Sequence, residues 1–414
     1  MTPENHDQPR SGQPNAPGRR RRRAARAGRG TAPVVLFDAT AIPANRGGVG
    51  RYVENVVTEL VRAGVRLAVV CQPRDRAFFE AAGVRKVSII PGWGDRASGR
   101  FVWEQVALPG LARRIGATVI HSPHYTFPLL TRRRRVVTVH DLTFFSAPEL
   151  HGRLKRVFFG AWIRAAKLAR VTVVTPSRAT ATEYLRFTHA RPSEVFAAPL
   201  GYDTAVFHPP TGDEVAAFAA SLTPRPSSWV AFLGTLEPRK NVPALVRGFT
   251  TAVAPLPADD RPALLLAGGA GWDDSVAGAV ADAVKAGFDV RLLGYLPLDQ
   301  LRALLGGALV TAYPSLGEGF GLPVLEAMAC GGAVLTTDRL SLPEVGGDAV
   351  SYTGVDSGSI ATSLAALLAA PAERRRLGEL GIARASGFTW AACARVHLTA
   401  YRAALDLPDT PEGS

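Results

Sequence analysis

Short apolar runs that end in a polar residue or glycine recur from residue 34 almost to the end of the chain, and each is followed by a stretch with apolar positions at helical spacing. That alternation leaves few choices. Strands that are apolar on both faces must be covered on both, and a helix after each strand carries the chain back to begin the next one in parallel. The runs at 34–37, 65–71, 87–90, 117–120, 136–140 and 171–175 read as strands, with helices at 47–64, 103–114, 154–169 and 179–187 between them. In the first helix Val53, Val56, Val57, Leu60 and Val61 share one face, and Gly64 closes it. A stretch at 201–226, rich in proline and polar residues, reads as a linker. The pattern then restarts, with strands at 230–234, 263–267, 290–293, 309–312 and 333–337 and helices at 242–253, 275–286, 359–369, 372–381 and 390–405. We therefore expect an α/β protein of two Rossmann-like, doubly wound domains facing across a cleft, at 33–205 and 206–390, with a segment at 391–414 packing back on the first domain. In open α/β sheets ligands bind at the carboxyl ends of the strands, so the cleft is where a site belongs.

Composition narrows the setting. The 414 residues suit two domains, and at 47% hydrophobic the chain can fill two cores. No apolar run approaches the roughly 18 residues of a membrane span, and residues 1–32 lack the apolar stretch of a signal peptide. Cys71, Cys330 and Cys393 stand far apart in no metal-ligand pattern and read as the reduced thiols of a cytoplasmic protein. Formal net charge is +13, and close to half of it falls in the first 30 residues, where Arg10, the run 19–23, Arg26 and Arg29 face only Glu4 and Asp7. With almost nothing to bury, 1–32 reads as a disordered basic tail. A dispensable arm, peripheral contact with an anionic membrane and nucleic-acid binding all fit it. Without aromatic residues for base stacking, nucleic acid is not the expected partner.

The stretch 313–332, YPSLGEGFGLPVLEAMACGG, carries the most chemistry. Gly317, Gly319 and Gly321 surround Glu318, and a glycine-rich backbone can approach a ligand closely. Pro323 suits a first helical turn, and Glu326 reads as lying in that turn. A helix start offers free N–H groups to a phosphate, while two carboxylates can accept hydrogen bonds from sugar hydroxyls. Residues 232–241, FLGTLEPRKN, place Gly234 and Thr235 after a strand and Arg239 and Lys240 at the next helix start. Cations there disfavour the helix itself and call for an anion. Lys240 is also one of only five lysines among 48 basic residues. His140 and Asp141, in 136–142 (VVTVHDL), end a strand of the first half, and Gly48 lies in the glycine loop 47–52 (GGVGRY). His121 and His124 in HSPHY are weaker candidates for a second substrate's side of the cleft. No Asp-x-Asp triplet occurs to hold a metal ion.

Together these segments resemble the retaining glycosyltransferases of family 4, which have the GT-B fold. The resemblance covers nearly all of 33–405, and its most specific parts are the two glutamates eight positions apart and EPRKN. It departs at Thr235, where many members carry Arg. The resemblance implies a hexosyltransferase, mannosyltransferase-like, whose nucleotide-sugar donor is a substrate, with GDP-mannose expected from the TLEPRKN and HDL forms and no cofactor or metal. It implies catalytic roles for His140, Glu318, Arg239 and Lys240. It implies donor contacts from Gly48, Gly234, Thr235, Arg239, Lys240, Gly319, Phe320, Gly321, Leu322 and Glu326, with Glu326 on the ribose. The N-terminal domain would take the acceptor, a glycan, a lipid-linked sugar or a small molecule. Asp203, in 198–209, is a turn or functional residue, and Glu344, in 341–352, is expected to cap the helix that follows it. Another GT-B activity, epimerase or phosphorylase, and a non-catalytic nucleotide-sugar binder stay open.

Overall fold

The computed structural model describes residues 32–43, 46–94, 96–146 and 152–407. The basic tail expected at 1–32 lies, but for its last residue, outside them. Seven strands form one wholly parallel sheet: β1 (Val34–Asp38), β2 (Arg66–Cys71), β3 (Lys86–Ile89), β4 (Val119–Ser122), β5 (Arg134–Thr138), β6 (Thr172–Thr175) and β7 (Val195–Ala197), in the order β3-β2-β1-β4-β5-β6-β7. A second parallel sheet holds β8 (Trp229–Leu233), β9 (Ala263–Ala267), β10 (Val290–Gly294), β11 (Val310–Tyr313), β12 (Val334–Thr337) and β13 (Ser351–Thr353), in the order β10-β9-β8-β11-β12-β13. Each sheet reverses its winding beside its first strand, between β1 and β4 and between β8 and β11. Those reversals leave the crevices where ligands enter such sheets.

The cores follow from the apolar runs. Val35, Leu36 and Phe37 are all buried, because helices cover both faces of β1, and the Gly48–Arg62 helix buries Tyr52, Val53, Val56, Val57 and Leu60 against its sheet. In the second half Leu264, Leu265 and Leu266 of β9 are buried in the same way. Among the described residues no helix is long and apolar enough to cross a membrane.

The sequence reading passes over some short helices, Arg76–Ala81 and Leu298–Gly306 among them, and three further details differ from it. The expected 103–114 helix is two, Ala97–Val106 and Leu108–Ile115. Pro109 explains the break, because its ring clashes with the preceding turn and it donates no N–H. The 201–226 linker contains a helix, Gly212–Ser221, started by a capping box in which the Thr211 hydroxyl accepts from the Glu214 amide and the Glu214 carboxylate from the Thr211 amide. The edge strands β7 and β13, three residues each, are too short to announce themselves in a pattern of period two.

The chain's last helix, Trp390–Ala404, packs against the Gly48–Arg62 helix and β5, β6 and β7 of the first sheet. A buried polar network fastens it there. Tyr52 Oη meets His397 Nε2 at 2.7 Å and Thr138 Oγ1 at 2.7 Å, and His121 joins Tyr401 Oη at 2.7 Å and Thr138 Oγ1 at 2.8 Å. Burial holds the His397 imidazole down at about 4 and lowers that of His121, so both are neutral. His121 is therefore a core residue tying the last helix to β4, and it does not line a substrate surface.

Candidate active site

The site is built on loops at the carboxyl ends of β5, β8 and β11. After β11 the chain runs through Ser315 to Gly321 and enters the Leu322–Ala329 helix. Gly321 caps that helix with φ 106°, a conformation a side chain would strain. The Ser341 hydroxyl donates to the carbonyls of Glu318 and Phe320, both at 2.8 Å, and pins the loop from below. Glu326 is the fifth residue of the helix and so lies in its second turn; the first-turn placement expected from Pro323 was a residue too early. From the other half, the Thr180 hydroxyl donates to the Gly319 carbonyl at 3.1 Å. A Cβ on Gly319 would lie 1.8 Å from the His140 carbonyl oxygen, so the loop passes directly against the end of β5.

Glu318 is the hub of the charges. Its Oε1 accepts from Lys240 Nζ at 2.7 Å, Ser315 Oγ at 2.6 Å and Tyr313 Oη at 2.9 Å, while Oε2 accepts from Arg239 Nη1. Arg239 also donates to the Gly317 carbonyl at 2.7 Å and to Glu237 at 2.6 Å, and Lys240 Nζ donates to Tyr313 Oη. Burial alone would raise the Glu318 carboxyl, but Arg239 and Lys240 outweigh it and hold it at about 2. Burial and the neighbouring guanidinium lower Lys240, against the pull of Glu318. Asp141 is likewise held below its ordinary range: Arg239 and two hydrogen bonds from Thr143 overcome its burial. Cations and anions thus interleave in a site with little solvent.

His140 completes the arrangement from the first half. Its Nε2 donates to the Pro123 carbonyl at 2.7 Å, since a carbonyl can only accept. Burial depresses its basicity, so the ring is neutral and Nδ1 carries the lone pair as an acceptor. Tyr52 meets the ring edge-on at 5.0 Å and keeps it upright.

A cleft of about 600 Å³ runs between the two sheets, and His140, Glu318, Arg239, Lys240, Gly48, Gly234, Thr235, Gly319, Phe320, Gly321 and Leu322 all line it. Glu326 does not. It sits behind the wall, buried and paired with Arg51, whose side chain lines the cleft in its place. The other carboxyl oxygen of Glu326, Oε2, has no hydrogen-bond partner among the described residues, and burial raises this acid despite Arg51. Arg51, Tyr313 and Glu237 are the participants that residue-by-residue reading passed over. Arg51 stands inside the glycine loop and Glu237 inside EPRKN, so proximity to those motifs was the available signal.

Two further assignments are settled by geometry. Glu344 caps a helix, though not the one that follows it: its carboxylate accepts from the amides of Arg178 at 2.8 Å and Ala179 at 3.2 Å, at the start of the Arg178–Thr188 helix in the other half. Asp203 is a turn residue, taking the Ala205 amide at 3.0 Å on its side chain and the Phe207 amide at 2.8 Å on its carbonyl. Beside His140 a second cavity of about 220 Å³ opens at the β1–β4 reversal, with Asp38, Arg100, Glu104 and His124 in its wall and Phe101 and Phe159 beside them. His124 stands 6.0 Å from His140, ring centre to ring centre, so this cavity adjoins the cleft. Burial, reinforced by Asp38, pushes the Glu104 carboxyl up to about 8.

Known proteins share this organisation. Residues 46–206 match the domain described as Glycosyltransferase Family 4, and residues 216–384 the one described as Glycosyl transferases group 1. The chain is 28% identical over 285 residues to O-antigen chain mannosyltransferase B of Escherichia coli, covering 69% of this chain and 74% of the relative. It is 30% identical over 312 residues to alpha-maltose-1-phosphate synthase of Mycobacterium tuberculosis, covering 69% and 79%. Among solved structures, Anabaena Alr3699/HepE in complex with UDP and glucose superposes with a TM-score of 0.69 at 17% identity, over 87% of this chain and 97% of that one. Two parallel sheets with the charged loops between them, and relatives matched over most of their length, lead to one conclusion: the chain belongs to glycosyltransferase family 4 and is a transferase of the GT-B fold.

Proposed function

We propose that this protein transfers a mannosyl unit from GDP-mannose to a hydroxyl of a glycan, lipid-linked or small-molecule acceptor, with retention of anomeric configuration and with protein cations in the place of a divalent metal ion. The observation that carries the reading is the buried Glu318–Arg239–Lys240 cluster at the ends of β8 and β11, directly across from His140. The choice of mannose rests on the likeness to the Escherichia coli mannosyltransferase.

The charges suit the reaction. Breaking the bond between the anomeric carbon and the diphosphate leaves positive charge on the sugar and negative charge on the leaving group. Arg239 and Lys240 stabilise the departing diphosphate, and a preorganised, dehydrated electrostatic arrangement is the strongest single contribution such a site can make. Glu318 holds both cations in place, and Oε2, with one acceptor position left, meets a sugar hydroxyl. Nδ1 of neutral His140 accepts a hydrogen bond from another hydroxyl of the same sugar. The acceptor approaches from the cavity beside His140, where Glu104, its carboxyl pushed up to about 8, and Asp38, raised by burial, suit a neutral polyol. Its hydroxyl attacks on the face the diphosphate leaves, and the leaving phosphate oxygen takes its proton. Glu326, through Arg51, sets the edge of the nucleoside's place.

The test is a thermal-shift panel with GDP-, UDP-, dTDP- and ADP-linked sugars, because a ligand that binds only the folded protein raises its melting temperature by mass action. GDP-mannose should give the largest shift, and the shift should shrink in Lys240→Ala. A larger shift with a UDP- or ADP-linked sugar would overturn the donor assignment. No shift with any nucleotide sugar would overturn the transferase mechanism proposed for this cleft.

A further inference from the structure

The polar side chains that join the last helix to the first sheet are sealed from solvent: Tyr52, His121, Thr138, His397 and Tyr401 are each at most 1% exposed. Apolar residues in their places would anchor the helix without burying polar atoms. What a fully paired polar network adds is a single allowed geometry, and here that geometry extends to the protons. His397 Nδ1 lies 2.8 Å from the Cys393 carbonyl, and a carbonyl can only accept, so Nδ1 carries the proton. Burial keeps the ring neutral, so Nε2 is an acceptor, and the Tyr52 hydroxyl 2.7 Å away donates to it. With its one proton so placed, Tyr52 accepts from the Thr138 hydroxyl at 2.7 Å. Thr138 in turn accepts from His121 Nε2 at 2.8 Å, and neutral His121 accepts at Nδ1 from Tyr401 at 2.7 Å. One backbone carbonyl of the last helix thus sets the direction of each hydrogen bond in the chain.

That chain ends against the cleft. Thr138 closes β5, two positions before His140, and the Tyr52 ring stands edge-on to the His140 ring at 5.0 Å and 88°. His124 and Tyr125 lie farther from His140, at 6.0 and 6.3 Å. The bond from His140 Nε2 to the Pro123 carbonyl fixes one corner of the imidazole and leaves it free to tilt about that corner. The Tyr52 ring is the wall that stops the tilt, since edge-to-face rings favour one mutual angle. Its own hydroxyl is gripped by both His397 and Thr138, so the wall does not swing. The helix carrying His397 is held in turn: a Cβ on Gly201 would lie 2.2 Å from the Trp390 amide nitrogen, where that helix begins.

We propose that His397 is a positioning residue of the active site, which acts through Tyr52 to hold the His140 imidazole in the one orientation that turns Nδ1 into the cleft. His397 touches no substrate, for it is buried behind Tyr52 and the cleft is lined by other residues. Its effect on rate rests on the transfer reaction proposed above. Its effect on the orientation of His140 does not.

The experiment compares His397→Asn with His397→Gln in the full chain. Asn can place its amide N–H where Nδ1 stands and donate to the Cys393 carbonyl, but it is too short to meet Tyr52. Gln can place its amide oxygen where Nε2 stands and accept from Tyr52. Each puts an amide in the same buried place, so a merely structural role predicts similar losses in both. Nitrogen-15 NMR of histidine-labelled protein reads the rings directly. Wild type should show His397 protonated on Nδ1, and His121 and His140 on Nε2. The His140 signals should shift or broaden in the Asn variant and return to their wild-type positions in the Gln variant. Release of GDP from GDP-mannose, with methyl mannoside as the acceptor, reads the rate. A displacement of about 1 Å costs about a hundredfold, and a tilt still checked by Pro123 about tenfold. We expect kcat to fall about tenfold in the Asn variant and to recover in the Gln variant, with GDP affinity equal in all three proteins. Equal kcat in the two variants, unmoved His140 signals in the Asn variant, or a His397 protonated on Nε2 would overturn the proposal. A wild type that releases no GDP would count against the transfer reaction, and the His140 signals would still decide the proposal.

Discussion

Replacing Gly319 by alanine puts the close approach of the two halves to a direct test. Gly319 does not use the left-handed region, so its backbone tolerates alanine, and the whole effect of the substitution is steric. The new methyl carbon would lie 1.8 Å from the His140 carbonyl oxygen and 3.1 Å from Asp141 Cβ. A carbon and a carbonyl oxygen rest at about 3.3 Å, so something must give by about 1.5 Å. The loop cannot easily yield, because Ser341 holds it on both sides of Gly319. The movement must then open the cleft or push His140 away from the sugar. Displacement of about 1 Å at a reacting centre can cost about a hundredfold in rate. We expect kcat to fall by about that factor. Nucleotide affinity should change by less than about tenfold, because Arg239 and Lys240 stand on the second half alone. Melting temperature should move by no more than about 4 °C. Steady-state kinetics, nucleotide titration and a melting curve on the same preparation decide the matter. A Gly319→Ala enzyme with wild-type kcat would show that the loop-against-His140 arrangement is not the one in which the sugar is transferred.

Other substitutions separate the roles. Lys240→Ala removes a charged hydrogen bond of about 1.5–3 kcal/mol, and transfer should drop at least tenfold with an unchanged circular dichroism spectrum; near-normal turnover would reject its place on the diphosphate. Glu318→Gln should slow transfer more than it weakens binding of free nucleotide, whereas an equal loss of GDP affinity would move Glu318 onto the nucleotide. Glu104 is raised from 4.5 to about 8, so between those values the folded state keeps a proton that the unfolded chain gives up. Its contribution to stability is whole below about pH 4.5 and is lost as pH rises to 8, at about 1.4 kcal/mol per unit. Melting temperature should therefore fall from pH 5.5 to pH 8 in wild type and fall less in Glu104→Gln; parallel profiles would show that Glu104 ionises normally.

Much of this was legible one residue at a time, and the reasons are physical. Parallel strands buried on both faces are apolar runs, and amphipathic helices repeat at 3.6 residues, so β1, β8, β9 and the Gly48–Arg62 helix all announce themselves. The Gly212–Ser221 helix was missed because its proline-rich surroundings hid the Thr211–Glu214 cap. The split at Ala107 was missed because the apolar spacing runs on through it, although Pro109 marked the place. Glu318, Arg239 and Lys240 were found because glycines and adjacent cations are costly without a ligand nearby. Arg51 was not, because nothing in GGVGRY says which side chain reaches 275 residues along the chain to Glu326.

The order of residues by itself determined the local periods, the caps, the glycine loops and the positions of the charges, for these depend on neighbours a few residues apart. Only the tertiary structure decided that Glu318 binds its own half's cations, that Glu326 lies behind Arg51, that Glu344 caps a helix of the opposite half, and that His121 belongs to the core. Each of these is a pairing across more than 70 residues of chain. Local spacing carries no information about which distant loops the two sheets bring face to face, and the burial that sets the protonation of His140 and Glu104, like the cations that keep Glu318 ionised against its own burial, exists only once they have done so.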